Sequence, residues 1–296
     1  MTTTATTATS VPASVASLDN YSALAPQVHF NGVATLFKTL AALPADCDGL
    51  EVGNVSTKAF QDIDAERDRR HRRLRLMFLP NTGCAIITIP TLHHERAHMG
   101  LYAQNHFGAA TLPTSGGNAG SGEGDSGGGP LIRGDGSQVP WPTFVIESGV
   151  TQSLSSLRVK ARWWFEASAY RVKVIVLVKV IRTTHVVHIE KWTTAAGPDP
   201  RRGATVTRAS HGAHLVPTME QLVVVRWAGS LPLPQVPRLD RSHSDFQVEG
   251  APLVLHFEEL MDREPVAGTP EQDVLISEWY LQIVAQEIWT SDRGTA

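Results

Sequence analysis

The sequence predicts an α/β protein whose mixed β-sheet is flanked by helices. Three observations between Trp141 and Trp192 carry that expectation. A strand, WPTFVIESGV, is followed by an amphipathic segment, TQSLSSLRVKARWWFEAS, and then by two further strands, YRVKVIVLVKV and HVVHIEKW. The middle of the second strand, Val174 to Val178, is continuously apolar, as in a strand covered on both faces. A strand joined through a helix to another strand is the crossover unit of α/β sheets.

Each part of this unit follows from periodicity. Thr143, Val145 and Glu147 share one strand face, and Phe144 and Ile146 the other. Leu154, Leu157, Ala161, Trp164 and Phe165 form one stripe at helical spacing, flanked by Arg158 and Lys160. Trp163 and Trp164 adjoin each other. Trp164 is therefore expected in the core and Trp163 at its rim, where its ring is a candidate base-stacking platform. In HIEKW, Glu190 and Lys191 are expected to form a surface pair.

The remaining chain is read in order. MTTTATTATSVPASVAS opens a tail, residues 1–30, whose Thr/Ala/Ser bias predicts disorder. Leu36, Phe37, Leu40 and Leu43 mark a short helix. DAERDRRHRRLR carries six arginines from Arg67 to Arg75, expected as a solvated face running into an edge strand, with a phosphate-contacting patch as the alternative. RLRLMFLP and CAIITIP flank Asn81-Thr82-Gly83 as a hairpin. TLHHERAHMGLYAQNHF reads as a helix and SGGNAGSGEGDSGGG as a mobile loop. MEQLVVVRW follows a loop rich in Gly, Pro and Arg, and PLVLHFEELM reads as a strand entering a short helix. Asp273 to Trp289 is expected as one terminal helix. Residues 31–195 form the core in this division, and residues 196–296 a C-terminal region packed on it.

Composition narrows the function classes. The chain has 296 residues, a formal net charge of −3, and two cysteines. That charge gives no global pull toward nucleic acid, so any basic surface must be local. Cys47 and Cys84 are too few for a disulfide framework, which points to free thiols and an intracellular, nuclear or cytoplasmic, setting. No apolar run reaches the roughly 20 residues of a membrane span, and the N-terminus lacks the plan of a secretory signal.

Two short motifs suggest chemistry. His94-Glu95-Arg96-Ala97-His98 fits H-E-x-x-H, in which two histidines one helical turn apart hold zinc and the glutamate acts as general base. A third ligand is required, and His106, His185, His188, His211 and His214 show no pattern that supplies it. Gly124-Asp125-Ser126-Gly127-Gly128-Gly129-Pro130 resembles the stretch around the nucleophile of trypsin-like serine proteases, with one extra glycine. These give a zinc peptidase and a serine protease as alternatives.

The segments WPTFVIESGV, LRVKARWWFEAS, VKVIVLV and HIEKW also resemble a family of uncharacterised fungal proteins with a restriction-endonuclease-like domain, of the PD-(D/E)XK nuclease-like superfamily. The resemblance runs from roughly Leu74 to the C-terminus. It implies a restriction-endonuclease-like core with a C-terminal extension, and metal-dependent hydrolysis of phosphodiesters or a nuclease-derived role in binding nucleic acid, DNA ahead of RNA. In that family a helix supplies a glutamate, a loop or strand an aspartate, and the core strand a second glutamate. The matching residues are Glu95 in PTLHHERAH, Asp125 in GDSGGGP and Glu147 in PTFVIESG, which would hold magnesium or manganese. The superfamily pattern places a lysine two residues after the strand glutamate, and that slot here is Gly149. The cation is then expected from the following helix, with Arg158 the first candidate and Lys160 the second. The family's Ser-Glu-Ser after the strand is Thr151-Gln152-Ser153 here. A non-catalytic interaction protein that retained the fold is the alternative from this direction.

Overall fold

A computed structural model describes residues 27–103, 114–115, 120–130, 141–197, 215–230, 232–233, 236 and 240–290. Most of the expected N-terminal tail, and His106, His211 and His214, lie outside the described residues. The elements run β1 (Val28–His29), α1 (Val33–Ala42), β2 (Gly49–Gly53), α2 (Thr57–Arg69), β3 (Arg75–Leu79), β4 (Cys84–Thr88) and α3 (Leu92–Ala103). Next come β5 (Thr114–Ser115), β6 (Ser121–Gly122), β7 (Ser126–Gly128), β8 (Phe144–Gly149), α4 (Leu154–Ala167), β9 (Val174–Ile181) and β10 (Val186–Ala196). The chain continues with β11 (Leu215–Trp227), β12 (Phe246–Glu249), β13 (Leu253–Leu255), α5 (Phe257–Met261), β14 (Val274–Ile276) and α6 (Glu278–Thr290).

Two six-stranded mixed sheets organise the protein. The first has the order β1-β2-β4-β3-β6-β5, antiparallel apart from the β1–β2 pair. The second has the order β12-β11-β10-β9-β8-β7, antiparallel apart from β8–β9, which α4 connects. The region after residue 196 therefore supplies two strands to the second sheet.

Strand alternation distributes the apolar residues over three cores. Leu50, Val52, Leu76, Phe78 and Ile87 face α1 and α2. Met77, Leu79, Cys84 and Ile86 on the other face of that sheet meet α4, whose opposite side meets Val145, Ile175 and Leu177 of the second sheet. The far face of the second sheet, with Phe144, Ile146, Val174, Val176 and Val178, packs on α3 and α6. The layers are helix, sheet, helix, sheet, helix, with α4 at the centre.

That central position overturns several expectations. Trp163 is buried at 2% exposure, not at the rim, because the first sheet covers its side of α4. A Cβ at Gly122 would come within 2.6 Å of its ring, so β6 approaches that closely only as glycine. The glycine-rich stretch expected to be a loop instead supplies β6 and β7. The strand after the arginine run is internal, with β3 lying between β4 and β6. Asp273 to Trp289 is not one helix. Val274–Ile276 pairs with β13, and the helix begins at Glu278.

Glu190 and Lys191 are not a surface pair, since both are buried. Strand β10 is covered on both faces, so consecutive side chains point into opposite interiors and each needs its own partner. Glu190 receives Arg158 through two hydrogen bonds, of 2.7 and 3.1 Å, and Trp192 Nε1 at 2.8 Å. Lys191 meets Glu220 at 3.0 Å and Glu259 at 3.1 Å.

Burial opposes ionisation of Glu190, but hydrogen bonds from His188 and Arg158 outweigh it and bring its carboxyl down to about 2 from an ordinary 4.5. A depressed carboxyl contributes stability above its unfolded value and loses it as pH falls toward its folded one, here between about pH 4.5 and pH 2. The depression corresponds to about 3 kcal/mol. Glu190→Gln is expected to lower unfolding free energy by about 2–3 kcal/mol at pH 7 in urea titrations, with the gap to wild type narrowing near pH 3. A pH-independent gap would reject this account.

Candidate active site

Polar side chains from both sheets and two helices meet inside the protein, at the end of β8. The cluster starts at Asp48, just before β2. Its carboxylate accepts from the backbone N–H of Val150 at 2.5 Å, Thr151 at 2.7 Å and Gln152 at 3.1 Å, and from Thr151 Oγ1 at 2.6 Å. His94 Nδ1 lies 3.2 Å from Asp48 Oδ2. Burial disfavours the charged form of Asp48, yet the bonds from His94 and Thr151 prevail and hold it well below the usual carboxylate range.

His94 bridges this group to Asp125. Its Nε2 is 3.1 Å from Asp125 Oδ1. Burial resists a charged imidazole here, but Asp125 and Asp48 on either side raise His94 to about 9. Asp125 Oδ2 accepts from the Ser148 backbone N–H at 2.7 Å, which fixes the aspartate to β8. Asp125 stays ionised despite full burial because His94 and Lys160 are close.

Glu147 points the other way from its neighbour Ser148, toward α4, as period-two alternation requires. Trp164 Nε1 donates to Glu147 Oε1 at 2.7 Å, and Lys160 Nζ pairs with Glu147 Oε2. Lys160 and Trp164 are one helical turn apart, so both reach the same carboxylate. Burial, together with the charge of Asp125, raises Glu147, while Lys160 counteracts both. Glu147 and Asp125 in turn outweigh burial and keep Lys160 charged.

Glu95 completes the set from α3. Arg75 Nη1 lies 2.9 Å from Glu95 Oε1, 3.5 Å from Asp125 Oδ1 and 3.5 Å from His94 Nε2. His98 Nε2 is 3.3 Å from Glu95 Oε1, and His98 Nδ1 is 2.7 Å from Ser126 Oγ. Burial raises Glu95, but His98 and Arg75 prevail and bring it to about 2. Its side chain is 32% exposed, so this side of the cluster borders solvent. His94, Glu95 and His98 each offer a ligand atom, all within 4.8 Å of one another.

Glu95, Asp125, Glu147 and Lys160 therefore belong to one interacting cluster. Arg158, the first candidate for the migrated cation, does not join it. It is engaged by Glu190 and lies 5.9 Å from the Trp192 ring centroid. Gly149 is a glycine for a packing reason. A Cβ there would meet Gln152 Cβ at 3.0 Å and Leu157 Cδ1 at 3.3 Å, so the start of α4 occupies the space of a side chain.

The arginine run is partly tied up in ion pairs, while Arg72 and Arg73 are exposed. Arg67 binds Glu123 at 2.8 Å and Asp64 at 2.7 Å, and Arg69 and Arg70 both engage Glu66. Asp48, Arg75 and Ser148 were not singled out by sequence reasoning. For Arg75 a signal existed, since alternation along β3 puts it on the face of Met77 and Leu79, which packs on α4.

Ser126, His98 and Glu95 form a hydrogen-bond and ion-pair chain. The serine meets Nδ1 and the acid Nε2, the reverse of the Ser-His-Asp arrangement. Ser126 sits on an edge strand of a mixed sheet containing a parallel pair. Among the described residues no helix is long and apolar enough to cross a membrane. Comparison with protein-family models, curated proteins and solved structures finds no match.

Asp48 is expected to be the chief stabilising acid of this cluster. Asp48→Ala orphans three backbone N–H groups and removes one of the two carboxylates that flank His94, which should cost about 3–5 kcal/mol. A fall in unfolding free energy below about 1 kcal/mol in guanidinium titrations would contradict that role.

Proposed function

We propose that this chain is a metal-dependent phosphodiester hydrolase of restriction-endonuclease-like type, acting on nucleic acid, with DNA the first substrate to test. One observation carries the reading. Three acids from separate elements, Glu95 on α3, Asp125 before β7 and Glu147 on β8, enter one electrostatic cluster with Lys160 of α4. The strand pattern supports it too, since α3, β7, β8, α4 and β9 follow in the order that the superfamily resemblance implies.

The residues fit a hard or borderline divalent cation. Asp125 Oδ1 and Glu147 Oε2 are buried, and neither has a hydrogen bond of acceptable geometry among the described residues. Asp125 Oδ1 faces His94 and Arg75, and Glu147 Oε2 faces Lys160, so a bound ion would join positive charges already drawn to these oxygens. Asp125 and Glu147, with Glu95, would hold magnesium or manganese, as oxygen-rich sites do. The ion supplies polarisation of a phosphoryl oxygen and a more acidic water.

The protein's own groups do the rest. Lys160 stands in for the lysine that the Gly149 slot lacks, and its charge steadies Glu147 and the negative charge that develops on phosphorus. Arg75 and Glu95 form the solvent-facing side, where a phosphodiester would approach. Asp48 and His94 fix Asp125 through Ser148 and the end of β8.

A non-catalytic interaction protein is the second reading, and one observation favours it. Glu147 and Lys160 are enclosed, at 0% and 1% exposure. A cleavage assay with magnesium or manganese separates the two. The first reading expects metal-dependent cleavage, lowered at least about 100-fold in Lys160→Met and in Glu147→Gln. The double variant, which removes both charges together, should stay folded by circular dichroism and remain inactive. Wild type that leaves DNA and RNA intact with either ion favours the second.

A further inference from the structure

The α3 histidines are not ligands in the carboxylate–lysine chemistry above, yet both are buried and held by hydrogen-bond partners. Each imidazole has its Nδ1 fixed by an oxygen, His94 by Asp48 at 3.2 Å and His98 by Ser126 Oγ at 2.7 Å. His94 Nε2 then faces Asp125 Oδ1 and His98 Nε2 faces Glu95 Oε1, two oxygens that Arg75 Nη1 also approaches. Oriented imidazoles of this kind, with one nitrogen on a carboxylate or hydroxyl and the other presented, are the usual arrangement of metal-ligating histidine.

We propose that His94 Nε2, His98 Nε2, Glu95 Oε1 and Asp125 Oδ1 form a site for one borderline divalent transition ion of the zinc class. His94 Nε2 and Asp125 Oδ1 are 3.1 Å apart, and His98 Nε2 and Glu95 Oε1 are 3.3 Å apart. Ligands bound at about 2.0–2.2 Å in tetrahedral to octahedral geometry are separated by about 2.8–3.6 Å. Two of these atoms are buried and lack a well-formed hydrogen bond among the described residues, His98 Nε2 and Asp125 Oδ1. Both belong to side chains more than nine-tenths buried. Each thus lies at ligand spacing from a neighbour without satisfying it.

Two imidazoles and two carboxylates select the ion class. Magnesium and calcium prefer oxygen alone, whereas zinc, cobalt and their neighbours gain from nitrogen. The helix supplies three of the four ligands, His94 and His98 one turn apart with Glu95 between them. The fourth comes from the segment entering β7. Arg75 now provides the positive charge at this point, 2.9 Å from Glu95 Oε1. At 15% side-chain exposure it lies near enough to solvent to withdraw when an ion enters. This site shares Asp125 and Glu95 with the proposed hydrolase centre but does not depend on hydrolysis.

The test is equilibrium dialysis of the EDTA-treated full chain against zinc, with cobalt absorption as a second readout. One zinc per chain is expected, retained against excess magnesium, together with visible d–d bands of nitrogen-ligated cobalt. His98→Ala should weaken zinc more than about 100-fold, beyond the loss of a supporting residue, and Ser126→Ala about 10-fold. Glu95→Gln keeps a side chain of the same shape at a partly exposed position and should weaken zinc while remaining folded. Arg75→Gln should tighten zinc about 10-fold by removing the competing charge. Glu147→Gln should leave the cobalt bands in place while abolishing any cleavage, which separates this site from the hydrolase reading. Absence of stoichiometric zinc, or zinc binding unchanged in both His98→Ala and Glu95→Gln, would overturn the proposal.

Discussion

The carboxylate of Asp48 joins the two halves of this protein. It stands at the start of a strand in the first sheet and captures three successive backbone N–H groups where β8 of the second sheet turns toward α4. It also anchors His94 of α3. Apolar packing alone is non-directional and tolerates sliding between layers. Four or five hydrogen bonds to one buried ionised carboxylate do not, because any shift leaves a charge or a donor unsatisfied. The relative register of the two sheets, and with it the meeting of Asp125, Glu147 and Glu95, depends on this contact.

A helix enclosed between two sheets faces a particular difficulty. Its solvent side is narrow, and in α4 Arg162 and Glu166 pair there at 35% and 37% side-chain exposure. In α4 even Lys160 is enclosed, and Ser156 is buried beside it. An isolated buried ammonium is untenable, so Lys160 requires Glu147, and the pair in turn requires the Trp164 indole and the Thr88 hydroxyl to complete its hydrogen bonds. The opposite flank repeats this solution with Arg158 and Glu190. The same enclosure explains Gly122, where a Cβ would fall 2.6 Å from the Trp163 ring, and it leaves a side chain at Gly149 little room.

Much of the architecture was legible because it rests on local periodicity. The alternation of Phe144 to Glu147 correctly placed Glu147 opposite Ile146, and the apolar run from Val174 correctly implied a strand covered on both faces. The cluster was legible only in part. Asp48 was not singled out, because its partners lie 46 and 102–104 positions away, beyond any local pattern. The choice between Arg158 and Lys160 turned on which flank of α4 met Glu147. Helical spacing leaves that open, but the one-turn relation of Lys160 to Trp164 decides it once both are seen to meet the same acid. Trp163, Glu190 and Lys191 were misplaced for one shared reason. Each sits on an element, α4 or β10, that is covered on both sides, so a side chain turned away from one core enters another.

The arginine run shows why sequence charge is a poor guide to surface charge. Five of its six members precede β3, and Arg67, Arg69 and Arg70 are drawn into pairs with acids of the same helix or with Glu123. Arg75 alone continues into the strand, and alternation turns it inward among three acids, Glu95, Asp125 and Glu147. A guanidinium in that position lowers the cost of gathering Glu95 and Asp125 in one place before any ligand arrives, because like charges at such separations repel strongly in a poorly solvated interior. The residue that makes the acidic cluster tolerable is therefore also the one that any incoming cation must displace.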